Sequence, residues 1–398
     1  MNETADKKAN KAAGRITTAA IVALVVYSFV MALPSTLINE VIDAFSLEGT
    51  REGLMIGLIN IGFLASLLVV PLFQGRVRKT TLITAACALQ AVMLSMIGAA
   101  PGFLLFGVAC VFLGAGEGFI DTSCSSAIVD VRKEESAKYL GYIHGIFGIG
   151  SLIAPLLIYR LLSYINWRGI HYVIAAASLV AALVTALLLR NKGSASADVI
   201  TGEQKLKMKD LIEYFKSTRN IILSVSGILS AMSQAGVLSW IVRYMTLRFD
   251  SAQMGAIATS AFWLCATVTR LFLSRIIKRS PIKAYSISAL LYGIFIAAGV
   301  FSGNAIALCV AVGAAGFCGG LFVPVLIGQF AVGNEGRTSF TTSVAMFVTG
   351  IPRIAAPLLI AFVSTKWSLL SGMMIPAVTA IAAAACGWLL CGKAARHA

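Results

Sequence analysis

The segment Gly148-Ile-Gly-Ser-Leu-Ile-Ala-Pro155-Leu-Leu-Ile158 returns 202 residues later as Gly350-Ile-Pro-Arg-Ile-Ala-Ala-Pro357-Leu-Leu-Ile360. The same shift also aligns Gly114 with Gly316, Gly118 with Gly320, Phe119 with Leu321 and Arg76 with Lys278. A single offset that fits three separate places predicts an internal repeat. We therefore expect two related halves.

Long apolar runs fill both halves. Of the 398 residues, 58% are hydrophobic and 12% are charged, a balance that would leave a soluble protein with far too much apolar surface. A hydrocarbon core about 30 Å thick takes roughly 20 residues of helix. We predict an all-α integral membrane protein with twelve transmembrane helices, near 16–42, 53–73, 80–100, 103–129, 139–162, 170–190, 220–246, 251–274, 284–302, 305–332, 338–363 and 369–392.

One long hydrophilic stretch divides six predicted spans from six. The predicted organisation is a cytoplasmic tail at 1–15, an N-terminal half at 16–190, a linker at 191–219, a C-terminal half at 220–392 and a tail at 393–398. Apolar residues alternate with lysines in the linker, which fits either a short amphipathic helix on the membrane surface or a flexible tether. Two six-helix halves are typical of a transporter that binds its solute between repeats and rocks about it.

Lysine and arginine are unevenly distributed among the predicted loops. With a cytoplasmic N-terminus, 24 of the 32 fall inside, six fall outside and two lie within spans. Because cytoplasmic loops retain positive charge, both termini are predicted to be cytoplasmic, in a bacterial plasma membrane. The charge of +15 is then spread over loops and tails, which argues against a nucleic-acid partner. The eight cysteines form no CxxC pair, which argues against disulfides and a zinc site.

Four ionisable residues stand out among those inside predicted spans, where a charge is costly unless it has a function or a partner. Glu117 and Asp121 are four residues apart on the fourth span and share one helical face. His144 lies one turn into the fifth span, at roughly the depth of Asp121, and Arg353 lies near the middle of the eleventh. We expect Asp121 or Glu117 to accept a proton beside His144, and Arg353 to act as a cation for the substrate or a counter-ion. The alternative is a structural network between helices, which for His144 is the stronger of the two.

Other polar residues in the spans form a second candidate set. Asn39, Gln234, Trp240 and Gln329 offer hydrogen bonds and a stacking surface for a polar substrate, although Trp240 fits an interfacial belt equally well. Glu40 and Arg243, near the predicted outer ends of the first and seventh spans, form either a gating salt bridge or rim residues that reach water. Arg270, near the predicted inner end of the eighth span, is a candidate for the cytoplasmic gate.

Two stretches carry a family resemblance. Gly114-Ala-Gly-Glu-Gly118-Phe-Ile-Asp121 and Tyr142-Ile-His144-Gly-Ile-Phe147-Gly148-Ile-Gly150 resemble the major facilitator superfamily, and within it the fucose:proton symporter family and its sugar-symporter relatives. The resemblance implies that Asp121 takes part in proton coupling and that His144 occupies a position that is often His. Ser125 stands where those relatives carry asparagine, Gln234 stands where they carry an acid, and Arg353 is unexpected. These departures keep an anionic solute beside a sugar as a candidate.

The expected function is secondary active transport, with proton symport of a sugar or a small organic anion by alternating access. A proton gradient would supply the driving force without any cofactor, and sodium is the alternative ion. A proton-driven exporter of amphipathic compounds and a membrane sensor that does not transport are the competing functions. The sequence has no nucleophile elbow, zinc-protease motif or P-loop, so we do not expect an enzyme. Each half of a two-fold repeat supplies the other's interface, so a monomer in the bilayer suffices.

Overall fold

The computed structural model describes residues 3–70, 77–132, 135–189, 212–272, 280–332 and 338–394. Within these ranges the chain forms fourteen helices of eight or more residues. They are α1 (Glu3–Thr36), α2 (Ile38–Phe45), α3 (Thr50–Val69), α4 (Lys79–Ala99), α5 (Phe103–Arg132), α6 (Ser136–Leu161), α7 (Trp167–Leu189), α8 (Thr218–Phe249), α9 (Ala252–Phe272), α10 (Pro281–Phe301), α11 (Ala305–Gly319), α12 (Phe322–Ala331), α13 (Thr338–Lys366) and α14 (Leu369–Ala394). Most of the predicted linker, the basic loops at 71–76 and 273–279 and the last four residues lie outside the described residues.

The described helices include twelve candidate membrane spans, long and apolar enough to cross a bilayer. Helices α11 and α12 together make one of these, Ala305–Ala331. The predicted all-α fold with twelve spans is therefore confirmed. The first predicted span, 16–42, lies six residues too late in the chain compared with the candidate span Asn10–Thr36, because α1 ends at Thr36 and Leu37 leaves helical geometry before α2 begins. Pro34 weakens the end of α1, since proline donates no backbone hydrogen bond.

In the first half, α5 packs closely on α3 through two glycines. A Cβ atom on Gly114 would overlap the carbonyl oxygen of Ile59, and one on Gly118 would overlap the hydroxyl of Ser66. Only residues without a side chain allow two helix backbones to approach this closely. These close contacts fix the position of α5 against α3, and with it the positions of Glu117 and Asp121 on α5.

The second half repeats this arrangement between α11 and α9. A Cβ atom on Gly316 would overlap the carbonyl oxygen of Phe262, and one on Gly320 would lie 2.7 Å from the carbonyl oxygen of Ala266. These are the glycines that the 202-residue offset aligns with Gly114 and Gly118. The repeated letters of the sequence therefore correspond to a repeated packing contact.

The chain divides into two compact units, and the division does not follow chain order. Unit 1 comprises 1–33 and 58–203, and unit 2 comprises 34–57 and 204–398. The chain passes from one unit to the other at Pro34 within α1 and after Gly57 within α3. The segment 34–57, which contains α2, thus packs with the C-terminal helices. The predicted boundary within 191–219 falls mostly outside the described residues and stays a prediction.

Each unit has its own tightly packed interior. In unit 1, apolar side chains of α1, α4, α5, α6 and α7 form one buried cluster. In unit 2, two tyrosines of α10 are tied to α8, where Tyr285 bonds Ser226 at 2.9 Å and Tyr292 donates to the carbonyl oxygen of Ser233 at 3.2 Å. These interiors hold the candidate site residues on fixed helix faces.

Candidate functional site

The two predicted acids of the fourth span lie on α5 in unit 1 and differ in their access to water. Glu117 is 3% exposed, whereas Asp121, one turn further along, is half-buried. The glycines around Glu117 bring neighbouring helices close, since Gly116 faces the side chain of Gln90 on α4 and Gly118 faces α3. Asp121 is therefore the acid of this pair that is better placed to exchange a proton with solvent.

His144 lies on α6 beside the same face of α5. Its Nε2 atom is 3.3 Å from the hydroxyl oxygen of Ser125, one turn after Asp121, and its side chain is exposed. A serine hydroxyl can donate and accept hydrogen bonds at the same time. The acid, the hydroxyl and the imidazole follow one another from the interior of unit 1 to its surface.

The interior of unit 1 also contains a polar residue that the sequence prediction missed. Gln90 on α4 is fully buried, and its amide nitrogen and oxygen both lack a hydrogen-bond partner. Its Cγ atom would lie 3.3 Å from a Cβ atom on Gly116, the neighbour of Glu117 in sequence. A buried amide without partners costs free energy. An amide in the middle of an apolar span was the signal that could have identified it.

A second missed group lies at the ends of α4 and α5 that are predicted to face the cytoplasm. Lys79, which is 6% exposed, forms an ion pair with Asp130. Arg132 lies over the ring of Tyr139 on α6 at 3.9 Å from the centroid and donates to the hydroxyl of Thr17 on α1 at 3.2 Å. The sequence pattern indicates only a loop charge at Lys79, although this residue begins a helix and has a partly buried acid as its partner.

In unit 2, Arg243 on α8 joins the segment 34–57 to the C-terminal helices. One guanidinium nitrogen donates to Oε1 of Glu52 on α3 and another to Oδ1 of Asn39 on α2, both at 3.1 Å. Asn39 in turn donates to the hydroxyl of Thr246 on α8 at 2.8 Å. The acid that pairs with Arg243 is therefore Glu52, and not the predicted Glu40. We call Arg243, Glu52, Asn39 and Thr246 the α2 clasp.

Glu40 lies beside the α2 clasp without joining it. Its side chain is half-buried, and Oε2 is buried without a hydrogen-bond partner. Burial raises the pKa of Glu40 above its ordinary value of 4.5, its own backbone amide opposes the shift, and the charge of Asp43 adds to it. Glu40 thus favours the protonated form more than an exposed glutamate does.

Three of the predicted substrate-binding residues are engaged with the protein itself. Trp240 is 2% exposed, and its indole nitrogen donates to the carbonyl oxygen of Pro357 at 3.2 Å. Gln234 donates to the carbonyl oxygen of Gly319 at 2.6 Å, and the side-chain oxygen of Gln329 accepts from Arg219 at 3.1 Å. Trp240 is a packing residue in this structure, and it presents no surface to a solute or to an interfacial belt.

Two arginines named as candidate site residues lie within candidate membrane spans of unit 2, Arg270 in Ala252–Phe272 and Arg353 in Val344–Lys366. Arg270 lies in the last turn of α9 and is half-buried, with its guanidinium carbon 5.8 Å from the ring centroid of Trp263. Arg353 lies on α13 and is exposed.

The described residues contain no group of three or more His, Cys, Asp and Glu side chains arranged to hold a metal ion. All eight cysteines are free thiols.

Comparison with known proteins identifies a family and several relatives. The family model described as Major Facilitator Superfamily matches residues 17–254. The glucose/mannose transporter GlcP of Bacillus subtilis is 23% identical over 228 residues, which cover 56% of this chain and 56% of that protein. The efflux pump FUS6 of Gibberella moniliformis is 29% identical over 170 residues, which cover 40% of this chain and 30% of that protein. The matched region thus spans about half or less of these relatives.

Two solved structures match nearly the whole chain. A bacterial homologue of the human lysosomal transporter Spinster, in an inward-facing and unoccupied conformation, has a TM-score of 0.75 at 16% identity and covers 95% of this chain and 97% of that one. The nucleoside transporter NupG has a TM-score of 0.78 at 13% identity and covers 95% and 99%. At these identities the likeness establishes the fold.

Proposed function

Because this chain belongs to the Major Facilitator Superfamily, and is a multi-pass membrane transporter rather than an enzyme, we propose that it is a secondary active transporter that couples protons to the uptake of a sugar or a small organic anion. It would act as a monomer by alternating access in a bacterial plasma membrane. The narrower likeness to the fucose:proton symporter family belongs to this proposal. The curated relatives include a sugar transporter and efflux pumps, so family membership leaves the solute and the direction open.

The line from Asp121 through Ser125 to His144 is the observation that carries the proton coupling. A carboxylate inside a membrane span is costly when charged and much less so when protonated. Asp121 is half-buried, and its neighbour on the line contacts an exposed imidazole at 3.3 Å. Protons can therefore reach Asp121 from solvent, and its charge state can determine which conformation of the transporter is favoured. Glu117, which is nearly inaccessible, serves in this proposal as a buried neighbour of the coupling acid.

The α2 clasp is proposed as a gating element on the predicted outer side. It ties α2 and the start of α3 to α8 through an ion pair and two hydrogen bonds. Opening that side would require these contacts to break together, because Arg243 contributes to two of the three. Glu40 lies beside them and adds a proton-dependent contribution.

Uptake into proteoliposomes tests the coupling role. With an imposed proton gradient, the wild type should accumulate one solute from a panel of labelled sugars and small carboxylates. Asp121→Asn should abolish gradient-driven accumulation but retain exchange of labelled for unlabelled solute, because exchange needs no net proton movement. Glu135→Gln, which removes an exposed carboxylate from the surface pair with Lys138, is the control and should leave accumulation unchanged. Full accumulation by Asp121→Asn would refute the proposal. Accumulation driven by a sodium gradient, without a proton gradient, would show that sodium and not the proton is the coupling ion.

The exporter is the second candidate, and the matched efflux pumps favour it. It would use the same acid with the solute moving in the opposite direction. Gradient-dependent extrusion of a lipophilic dye from cells or vesicles, with no uptake of any polar solute, would establish export. Solute binding without movement in either direction would indicate a sensor.

A further inference from the structure

The candidate span Ala305–Ala331 is interrupted where α11 ends and α12 begins. In an uninterrupted α-helix the amide of Leu321 would donate to the carbonyl oxygen of Phe317. It donates instead to the carbonyl oxygen of Cys318 at 3.3 Å, which is a bond of the 3₁₀ type. Short 3₁₀ segments within a helix often mark hinges. The two half-helices are therefore joined by weakened backbone bonding.

Side chains from two other helices bond the carbonyl oxygens at this interruption. The hydroxyl of Thr269 on α9 donates to the carbonyl oxygen of Phe317 at 2.8 Å, the shorter of its two hydrogen bonds. The amide of Gln234 on α8 donates to the carbonyl oxygen of Gly319 at 2.6 Å. Side chains that insert into the backbone ladder are a known cause of helix kinks. In the first half α5 continues through Glu117, which the 202-residue offset aligns with Gly319, so the interruption is specific to the second half.

Aromatic packing anchors α12 next to the interruption. The ring of Phe322, the first residue of α12, lies 5.4 Å from that of Tyr285 and 5.5 Å from that of Tyr292 on α10, measured between centroids. From Phe322 to Phe330 a helix rises about 12 Å, so a rotation of about 10° at the start would move the far end by about 2 Å. The position of the far end therefore depends on contacts of its own.

The described end of the linker and the first turn of α8 hold that far end. One guanidinium nitrogen of Arg219 donates to the side-chain oxygen of Gln329 at 3.1 Å and to its carbonyl oxygen at 3.2 Å. The ring of Tyr214 is stacked on the buried ring of Phe330, with 6.2 Å between centroids and 13° between planes. Asn220 on α8 donates to the carbonyl oxygen of Tyr214 at 3.0 Å and fixes the linker end. We call Tyr214, Arg219, Gln329 and Phe330 the α12 latch.

We propose that the α12 latch regulates the transport cycle: while it is closed α12 keeps the position seen here, and when it opens α12 pivots about 319–321. A few hydrogen bonds and one ring contact can open locally without unfolding the rest of the protein. This inference rests on the proposed transport function and adds the linker end as an element that controls a half-helix at the predicted cytoplasmic side. It assigns two predicted substrate-binding residues to other roles, Gln329 to the latch and Gln234 to the pivot.

A distance measured next to the latch reports the position of α12 without any solute. Spin labels attached to p-acetylphenylalanine at position 328 on α12 and position 283 on α10 leave the eight free cysteines untouched. A side chain in place of Gly328 enters open space, and Lys283 is exposed on a helix that two tyrosines tie to α8. Pulsed electron paramagnetic resonance then gives the distribution of label-to-label distances in the full-length chain in detergent.

A charge reversal and its rescue test the latch. Arg219→Glu replaces the donor with an acid that faces two oxygen atoms of Gln329, so a population displaced by about 2 Å or more should grow at least about fivefold. Adding Gln329→Arg should restore the wild-type distribution, because it rebuilds an ion pair with the charges exchanged. Lys216→Glu makes the same charge reversal at an exposed position of the linker end and should leave the distribution unchanged. The rescue distinguishes a latch from general loosening of the fold.

The pivot is tested by the direction of an effect. Thr269→Val keeps the shape of the side chain and removes the hydroxyl that bonds the carbonyl oxygen of Phe317. The amide of Leu321 can then bond this oxygen and continue the helix, so in the Arg219→Glu background the displaced population should fall at least about twofold. A hydrogen bond with a purely structural role would have the opposite effect, since its loss would enlarge that population.

Three results would overturn the latch: an unchanged distribution in Arg219→Glu, no rescue by Gln329→Arg, or an equally large displaced population in Lys216→Glu. A displaced population that grows with Thr269→Val would refute the pivot. Failure of the proposed function gives a different pattern, because these distances require no solute. Protein that moves none of the labelled sugars and carboxylates in either direction, while the reversal and its rescue behave as expected, would refute transport and leave the latch in place.

Discussion

Removing either side chain of the Arg243–Glu52 ion pair should loosen α2 from the C-terminal helices. The two side chains retain only 14% and 15% of their exposure, and their nitrogen and oxygen atoms are 3.1 Å apart. Breaking a fully buried pair by removing one partner costs about 3–5 kcal/mol, and an exposed pair is worth about 0–1 kcal/mol. The partial exposure here places the cost between these limits.

The two glutamine variants should differ, because Arg243 has a second partner. Glu52→Gln leaves the hydrogen bond from Arg243 to Asn39 intact, so we expect a loss of about 1–2 kcal/mol. Arg243→Gln removes both contacts, so we expect about 2–3 kcal/mol. At about 1.4 kcal/mol per factor of ten, these values correspond to roughly 5–30-fold and roughly 30–150-fold more frequent opening of the segment.

Hydrogen exchange measured by mass spectrometry on peptides from 38–45 reports this opening directly. In the double variant, the free-energy loss should be smaller than the sum of the losses in the two single variants, so the segment should open less often than additivity predicts. The reason is that the double variant leaves no buried charge without a partner. Glu48→Gln, in an exposed position of the same segment, is the matched control. Exchange within threefold of the wild type in Arg243→Gln, or strictly additive effects in the double variant, would refute the clasp.

Two further predictions concern α2 and the helix contacts. The raised pKa of Glu40 means that the folded protein binds this proton more tightly than the unfolded chain, so its contribution to stability is complete below pH 4.5 and is lost as pH rises through the folded pKa. The melting temperature of Glu40→Gln should therefore increase relative to that of the wild type as pH rises above 4.5. Parallel plots of melting temperature against pH for the two proteins would contradict this prediction. Gly316→Ala should destabilise the protein by about 1–3 kcal/mol because its methyl group would overlap the backbone of α9. Gly328→Ala on α12, whose methyl group would enter open space, should not destabilise it, and equal melting temperatures of the two variants would count against the packing argument.

Short-range patterns in the sequence were sufficient to predict the fold. Apolar runs of bilayer length depend on composition alone, so the twelve spans could be found without knowledge of any contact. The offset that pairs Gly114 with Gly316 predicted equivalent positions, and both glycines make equivalent helix contacts in the structure. The shared face of Glu117 and Asp121 followed from helical spacing in the same way.

The spacing of residues in the sequence was not sufficient to predict which side chains bond to each other. The positions of Glu40 and Arg243 near predicted outer ends fit either a salt bridge between them or two rim residues, but α1 ends at Thr36 and the chain turns before α2. This break allows Glu52 of the following helix, instead of Glu40, to bond Arg243. Trp240 was considered a surface for a solute because tryptophan is amphipathic, yet its buried ring bonds a carbonyl on α13. The partners of Arg243 and Trp240 are determined by tertiary contacts between residues far apart in the sequence.

The packing of 34–57 with the C-terminal helices also sets an order of events during biosynthesis. The hydrogen-bond partners of Asn39 and Glu52 on α8 are 191 to 207 residues later in the chain. At about 5–20 residues per second, translation needs roughly 10–40 s to produce them. During this interval Asn39, Glu40 and Glu52 must remain hydrated or be shielded by the insertion machinery. The first two spans therefore complete their packing only after the seventh has been inserted, and a chain truncated before α8 would leave this polar segment without its native partners.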